Sequence, residues 1–189
     1  PIVAILNAIT SFILKLNKNA ERDSLITEDE LKTMVNVGHE EGILEIDERE
    51  MINNVFDFGD TKAKDVMTPR TDMIAVDINA AYEEIADIFK EEGFLILPVY
   101  EENADNIVGV LYLKDFAFSS PEGFDIREHL HEPLYTYETK PILELLAEMK
   151  CRTVKFAVVV DEYGGTGGIV TLTDLIEELV GNFNDSEED

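Results

Sequence analysis

Thr171 and Asp174 carry the most specific chemistry in this sequence. They end the run Gly168-Ile169-Val170-Thr171-Leu172-Thr173-Asp174, in which a glycine and two apolar residues lead to a hydroxyl and an acid follows three positions on. Such a run reads as a strand passing into a helix start, where hydroxyl and carboxylate can take the helix N–H groups or meet the vicinal hydroxyls of a ribose. Both uses stay open: a ribose holder, or only a cap for the helix running through Leu175, Ile176 and Leu179. Gly109 to Asp115 repeats the pattern with Tyr112 at the hydroxyl position, so Asp115 is expected to be a cap alone.

Other candidate chemistry is sparse. Gly164-Gly165-Thr166-Gly167-Gly168 lacks the Lys-Ser/Thr of a phosphate loop and the spacing of a dinucleotide fingerprint, so a hairpin turn is the better reading. His129 and His131, beside Pro133 in a connection, are two ligands without a third, and no metal site is expected there. Cys151 is the only cysteine, which rules out an intramolecular disulfide and a thiolate metal centre and fits a reducing compartment. No serine or cysteine sits in a recognisable nucleophile elbow and no carboxylates form a defined pair, so an enzyme is not expected. Fifteen basic against forty-one acidic residues give a formal charge of −26, which repels a phosphate backbone and argues against nucleic acid as a partner.

These residues need elements to position them, and the elements repeat. Gly109 to Asp115 superposes on Gly168 to Asp174 at an offset of 59, and Glu84, Ile85, Phe89 and Lys90 superpose on Glu144, Leu145, Met149 and Lys150 at 60. Each copy reads as an early strand, an amphipathic helix, two short strands joined by a turn, and a final helix. One copy alone would leave a sheet face bare, so the two should pack together. Ahead of them, Thr27 with Glu30 forms a capping-box signal, and residues 27–59 read as two acidic amphipathic helices around Gly42. Ile2, Ile5, Leu6, Ile9, Ile13 and Leu16 make an apolar helical stripe that suits core packing or contact with a membrane or an upstream domain. No stretch is apolar for long enough to cross a bilayer, and no signal peptide is evident. The divisions expected are 1–22, helix and hinge; 23–60, acidic connector; 61–130 and 131–181, the two copies; 182–189, an acidic tail.

With the repeat in place, the sequence resembles tandem CBS domains, and among them those of the CorC/HlyC group of bacterial membrane proteins, related to the animal CNNM magnesium transporters. Asp65-Val66-Met67-Thr68-Pro69-Arg70-Thr71-Asp72-Met73 resembles the opening of a first CBS motif. Val160-Asp161-Glu162-Tyr163-Gly164-Gly165-Thr166 and Leu172-Thr173-Asp174-Leu175-Ile176-Glu177-Glu178-Leu179-Val180-Gly181 resemble the hallmark of a second. The resemblance implies an α/β fold, a CBS pair of two β-α-β-β-α units behind an acidic helical connector. It further implies a homodimer and a place in the cytoplasm behind a transmembrane domain that would precede Pro1, with a small domain often following Asp189. AMP or ATP, its phosphates accompanied by magnesium, would bind in the cleft of the pair. By the same resemblance Thr171 and Asp174 hold the ribose, Ile169 forms the base of the site, Thr68 and Met73 supply the opposite wall, and Lys155 and Phe156 face the nucleotide. Where the family shows Ser-Arg before an apolar-Pro step, this chain has Leu95-Ile96-Leu97-Pro98, leaving the phosphates to Arg70, Lys155 or a bridging cation. The function implied is an adenosine-nucleotide-sensing module of a divalent-cation transporter or hemolysin-like protein. The alternative is a dimerisation or scaffold module whose nucleotide pocket has decayed, with Leu95 and Ile96 as its argument.

Overall fold

The computed structural model describes residues 26–181; the apolar stripe before residue 17 and the acidic tail after Gly181 lie outside them. The chain divides after Arg49 into two units. In the first, helix α1 (Glu28–Glu40) opens on the capping box expected of Thr27 and Glu30, each accepting the other's backbone N–H at 3.3 Å. Gly42 turns the chain in the left-handed region at φ 73°. Helix α2 (Ile46–Asp60) starts in the first unit and has most of its length, from Glu50, in the second, so the two acidic helices stand where the sequence places them. Among the described residues no helix is long and apolar enough to cross a membrane.

The second unit contains both copies. A short helix α3 (Ala63–Val66) and strand β1 (Thr68–Pro69) lead into β2 (Val76–Asp77), α4 (Tyr82–Glu92), β3 (Ile96–Tyr100), β4 (Ile107–Tyr112) and α5 (Leu113–Ala117). After a 3-10 turn (Ile126–His129) come β5 (Leu134–Tyr137), α6 (Ile142–Arg152), β6 (Phe156–Val160), β7 (Thr166–Thr171) and α7 (Leu172–Val180). The repeat is exact in register through the first three elements: Val76 lies opposite Val99 and Thr136 opposite Val159, each pair 60 residues from its counterpart. Both hairpins carry a bulge at the same place, Val99/Tyr100 and Val159/Val160, where the twist increases.

What the repeat does not announce is an exchange. The sheets run β2-β3-β4 and β1-β7-β6-β5, so the strand that opens the first copy is an edge of the second copy's sheet. Phe58, Ala63, Val66 and Met67 go with it, packing into the second copy's core beside Leu145, Met149 and Leu175. In return, Ile126 and Leu130 from the connection ahead of the second copy enter the first copy's core beside Ile85, Phe89 and Leu111, and His131 exchanges two 2.9 Å backbone hydrogen bonds with Val110. A third apolar cluster, of Ile107, Val110, Phe156 and Val158, joins the copies and fills the space the bare sheet faces would leave to water.

Candidate functional site

Strand alternation makes the site. Along β7, Thr166, Gly168 and Val170 are buried, while Gly167, Ile169 and Thr171 point the other way and stay partly accessible. Ile169 packs with Phe156, Val158 and Met73 in the cluster between the copies. Gly168 is the residue that lets β1 lie against β7: a Cβ there would run into the Thr68 carbonyl oxygen and come within 2.9 Å of Met67 Sδ. Thr68 therefore sits directly opposite Ile169. Gly167 is less constrained, since the atom 2.9 Å from where its Cβ would be is Glu138 Oε1, the end of a flexible side chain. The glycine run is explained by these approaches and by the hairpin it closes, whose Asp161 carboxylate accepts the N–H groups of Tyr163 and Gly165 at 2.8 and 2.9 Å.

At the C-terminal end of β7, Thr171 is the N-cap of α7 and Asp174 its third residue. Thr171 N–H donates to Asp174 Oδ2 at 2.7 Å, and Asp174 N–H donates to Thr171 Oγ1 at 3.2 Å. The capping role and the ribose role are thus compatible: the box uses one carboxylate oxygen and one lone pair of the hydroxyl. Asp174 Oδ1 and the Thr171 hydroxyl proton remain for a ligand. Phe156 is paired with Thr171 across the ladder, and Leu172 N–H donates to the Lys155 carbonyl at 3.0 Å, so Lys155, an exposed residue, lies beside this end of β7. Phe156 itself is only 2% exposed and forms floor rather than rim.

Strand pairing, the cluster between the copies and the capping box link Thr68, Met73, Lys155, Phe156, Ile169, Thr171 and Asp174 as successive neighbours. Arg70 stands apart. Its N–H donates to the Gly167 carbonyl at 2.9 Å, four residues before Thr171 and so about 13 Å along the strand. Its guanidinium is ion-paired with Asp105 of the β3–β4 hairpin.

Two expectations need correction. Asp115 is no helix cap: Tyr112 at the start of α5 has no side-chain cap, and the Asp115 carboxylate instead takes His131 Nε2 at 2.7 Å. The Tyr112 ring meets the His131 ring edge-on at 4.9 Å, and burial followed by the Asp115 charge raises its hydroxyl pKa above the usual range. The sequence gives no signal for this pair, because His131 lies in the connection and not in the repeated pattern. Second, the Leu95-Ile96 step does not rob the Thr171 end of a cation. Leu113 N–H donates to Leu95 as Leu172 N–H does to Lys155, and Ile96 faces Tyr112, so the apolar step borders the first copy's counterpart. An open pocket of about 380 Å³ lies on that side, between Asp115, Phe118, His129 and His131. Among the described residues no three His, Cys, Asp or Glu side chains are placed to hold a metal ion.

Comparison with known proteins agrees with this architecture. The model of the CBS domain family matches residues 63–121 and 125–181. Hemolysin C of Brachyspira hyodysenteriae is 34% identical over 75% of this chain and 54% of its own length. A solved CBS domain of the bacterial CNNM/CorC family Mg2+ transporter superposes with TM-score 0.77 at 37% identity, covering 85% of this chain and 100% of that one. The CBS domain of that transporter family solved in complex with ATP superposes at 0.68 and 38% identity, covering 71% and 98%. The chain spans between 30% and 54% of the length of the curated relatives it matches.

Proposed function

Since the chain belongs to the CBS-domain family, as a tandem pair of the kind carried by CNNM/CorC and hemolysin-like proteins, we propose that it is the adenosine-nucleotide-sensing part of a membrane divalent-cation transporter. The observation that carries this reading is the Thr171–Asp174 box. It fixes a hydroxyl and a carboxylate at the C-terminal end of β7 and leaves on each an unused group of the right polarity for a ribose diol. Ile169, Met73 and Thr68 offer an apolar wall and a hydroxyl for a base, and Lys155 offers the cation for its phosphates. In the first copy Tyr112 replaces the hydroxyl, His131 occupies the carboxylate, and Leu95 replaces the cation. One nucleotide per chain follows.

On this reading the module senses a nucleotide and does not transform it. Magnesium, with no preformed carboxylate cluster to receive it among the described residues, enters on the triphosphate, which it relieves of repulsion from a chain at −26. Leu143, 55% exposed on α6, and Ile176, 44% exposed on the adjoining α7, give a second copy an apolar strip to cover, and the dimer is the element whose geometry the nucleotide biases. The module lies in the cytoplasm, in series with a membrane domain.

Titration calorimetry with AMP and ATP tests the reading. One site per chain is expected, lost in Asp174→Ala and kept in Asp115→Ala. A stoichiometry of two, or equal loss in both variants, refutes it, and light scattering that finds only monomer with and without nucleotide refutes the dimer.

A further inference from the structure

We infer that Arg70 is a positioning residue and not a phosphate ligand: through Asp105 it holds the Thr68–Met73 wall of the cleft in place. The inference rests on the nucleotide reading above and assigns one of its residues a different task. Segment 68–73 is a tight turn, with Asp72 N–H on the Pro69 carbonyl at 2.9 Å and Met73 N–H on the Arg70 carbonyl at 3.4 Å. Beyond the two residues of β1 it belongs to no sheet. Three contacts fix its far side. Arg70 N–H reaches Gly167, the Arg70 guanidinium reaches the Asp105 carboxylate, and the Asp105 carbonyl accepts both the N–H and the hydroxyl of the buried Thr166 at 3.0 Å. Asp105 thereby ties the first copy's hairpin, the second copy's hairpin and the wall at one point. A guanidinium neutralised there, at the end of β7 away from the Thr171–Asp174 box, does not serve phosphates that leave a ribose bound at that box.

The two roles separate on whether the ligand has a phosphate. A phosphate ligand favours AMP over adenosine; a wall-positioning residue acts on both alike. With the full chain in calorimetry, Arg70→Gln is expected to weaken adenosine and AMP by the same factor. That factor is at most about fivefold, since the pair is half-exposed, at 45% and 51%. Asp105→Asn should do the same, the double variant should be no weaker than either single one, and Arg70→Asp with Asp105→Arg should recover affinity. Lys155→Gln, by contrast, should lower the AMP-to-adenosine ratio. If Arg70→Gln weakens AMP and leaves adenosine unchanged, or if Asp105→Asn has no effect, the inference is overturned. If the wild type binds neither ligand, or Asp174→Ala leaves binding intact, the nucleotide reading has failed, and amide exchange decides the positioning alone. Faster exchange at Arg70 and Met73 in Asp105→Asn sustains it, and unchanged exchange ends it.

Discussion

Replacing Thr136 by valine should make this protein more stable. Thr136 is 5% exposed on β5, and its hydroxyl has no hydrogen-bond partner. Its counterpart 60 residues earlier is Val76, 1% exposed and in the same register on its own sheet. The first copy thus shows which side chain the position accommodates. An unpaired buried hydroxyl costs about 1–3 kcal/mol, and the methyl that replaces it recovers apolar contact worth somewhat under about 1 kcal/mol. Imperfect fit offsets part of the gain, since valine and threonine are not interchangeable in packing. An increase of about 1–2 kcal/mol is expected, which for a chain of this length raises Tm by about 2–8 °C. Urea unfolding followed by circular dichroism reads it as a higher midpoint at unchanged slope. The reverse change, Val76→Thr, should cost a similar amount. A neutral or destabilising Thr136→Val at unchanged slope would mean that the hydroxyl is bonded, through an ordered water, and that the repeat is a poor guide to the cost of its own differences.

Gly168→Ala should lift β1 from β7, costing about 1–3 kcal/mol and weakening nucleotide binding together with it; normal affinity in a stable Gly168→Ala protein would show that β1 does not shape the cleft. Glu148 accepts a hydrogen bond from Lys140 and is flanked by Arg152, which hold its carboxyl below the ordinary glutamate value. Its contribution to stability is therefore complete above that value and is lost as pH falls through the lower folded one, and Glu148→Gln should flatten this acid limb of a stability–pH curve. ATP should bind more weakly in EDTA than with millimolar magnesium at fixed ionic strength, with AMP little affected; equal ATP affinities would leave Lys155 sufficient by itself.

The parts of this molecule written as local patterns were legible in its sequence. Thr27 and Glu30, or Thr171 and Asp174, announce a helix start because the capping groups are three residues apart on one chain. The copies were visible because Gly109 to Asp115 and Gly168 to Asp174 solve the same strand-to-helix problem. What could not be read is where unlike segments meet. Thr68-Pro69 is too short to show alternation, so nothing marked it as a strand of the other copy. Arg70 and Asp105 lie in separate loops, as Asp115 and His131 lie in a helix and a connection, and such pairings are fixed by the fold. The offset links Leu95 to Lys155, and only the hydrogen bonds from Leu113 and Leu172 show which helix start each one borders.

The exchanged strand sets an order of events as the chain is made. Thr68 is synthesised 101 residues before Ile169, the residue it must lie beside. At about 5–20 residues per second the wait is about 5–20 s. Through that interval the segment from Phe58 to Pro69 holds apolar side chains whose burial site does not yet exist. The first copy's core is available sooner, but it is finished only when Ile126 and Leu130 emerge from the connection. Neither half is therefore a folding unit in its own right. A ribosome-bound chain stalled before β7 should be protease-sensitive around residues 58–69, and the protection should come in one step when β7 is released.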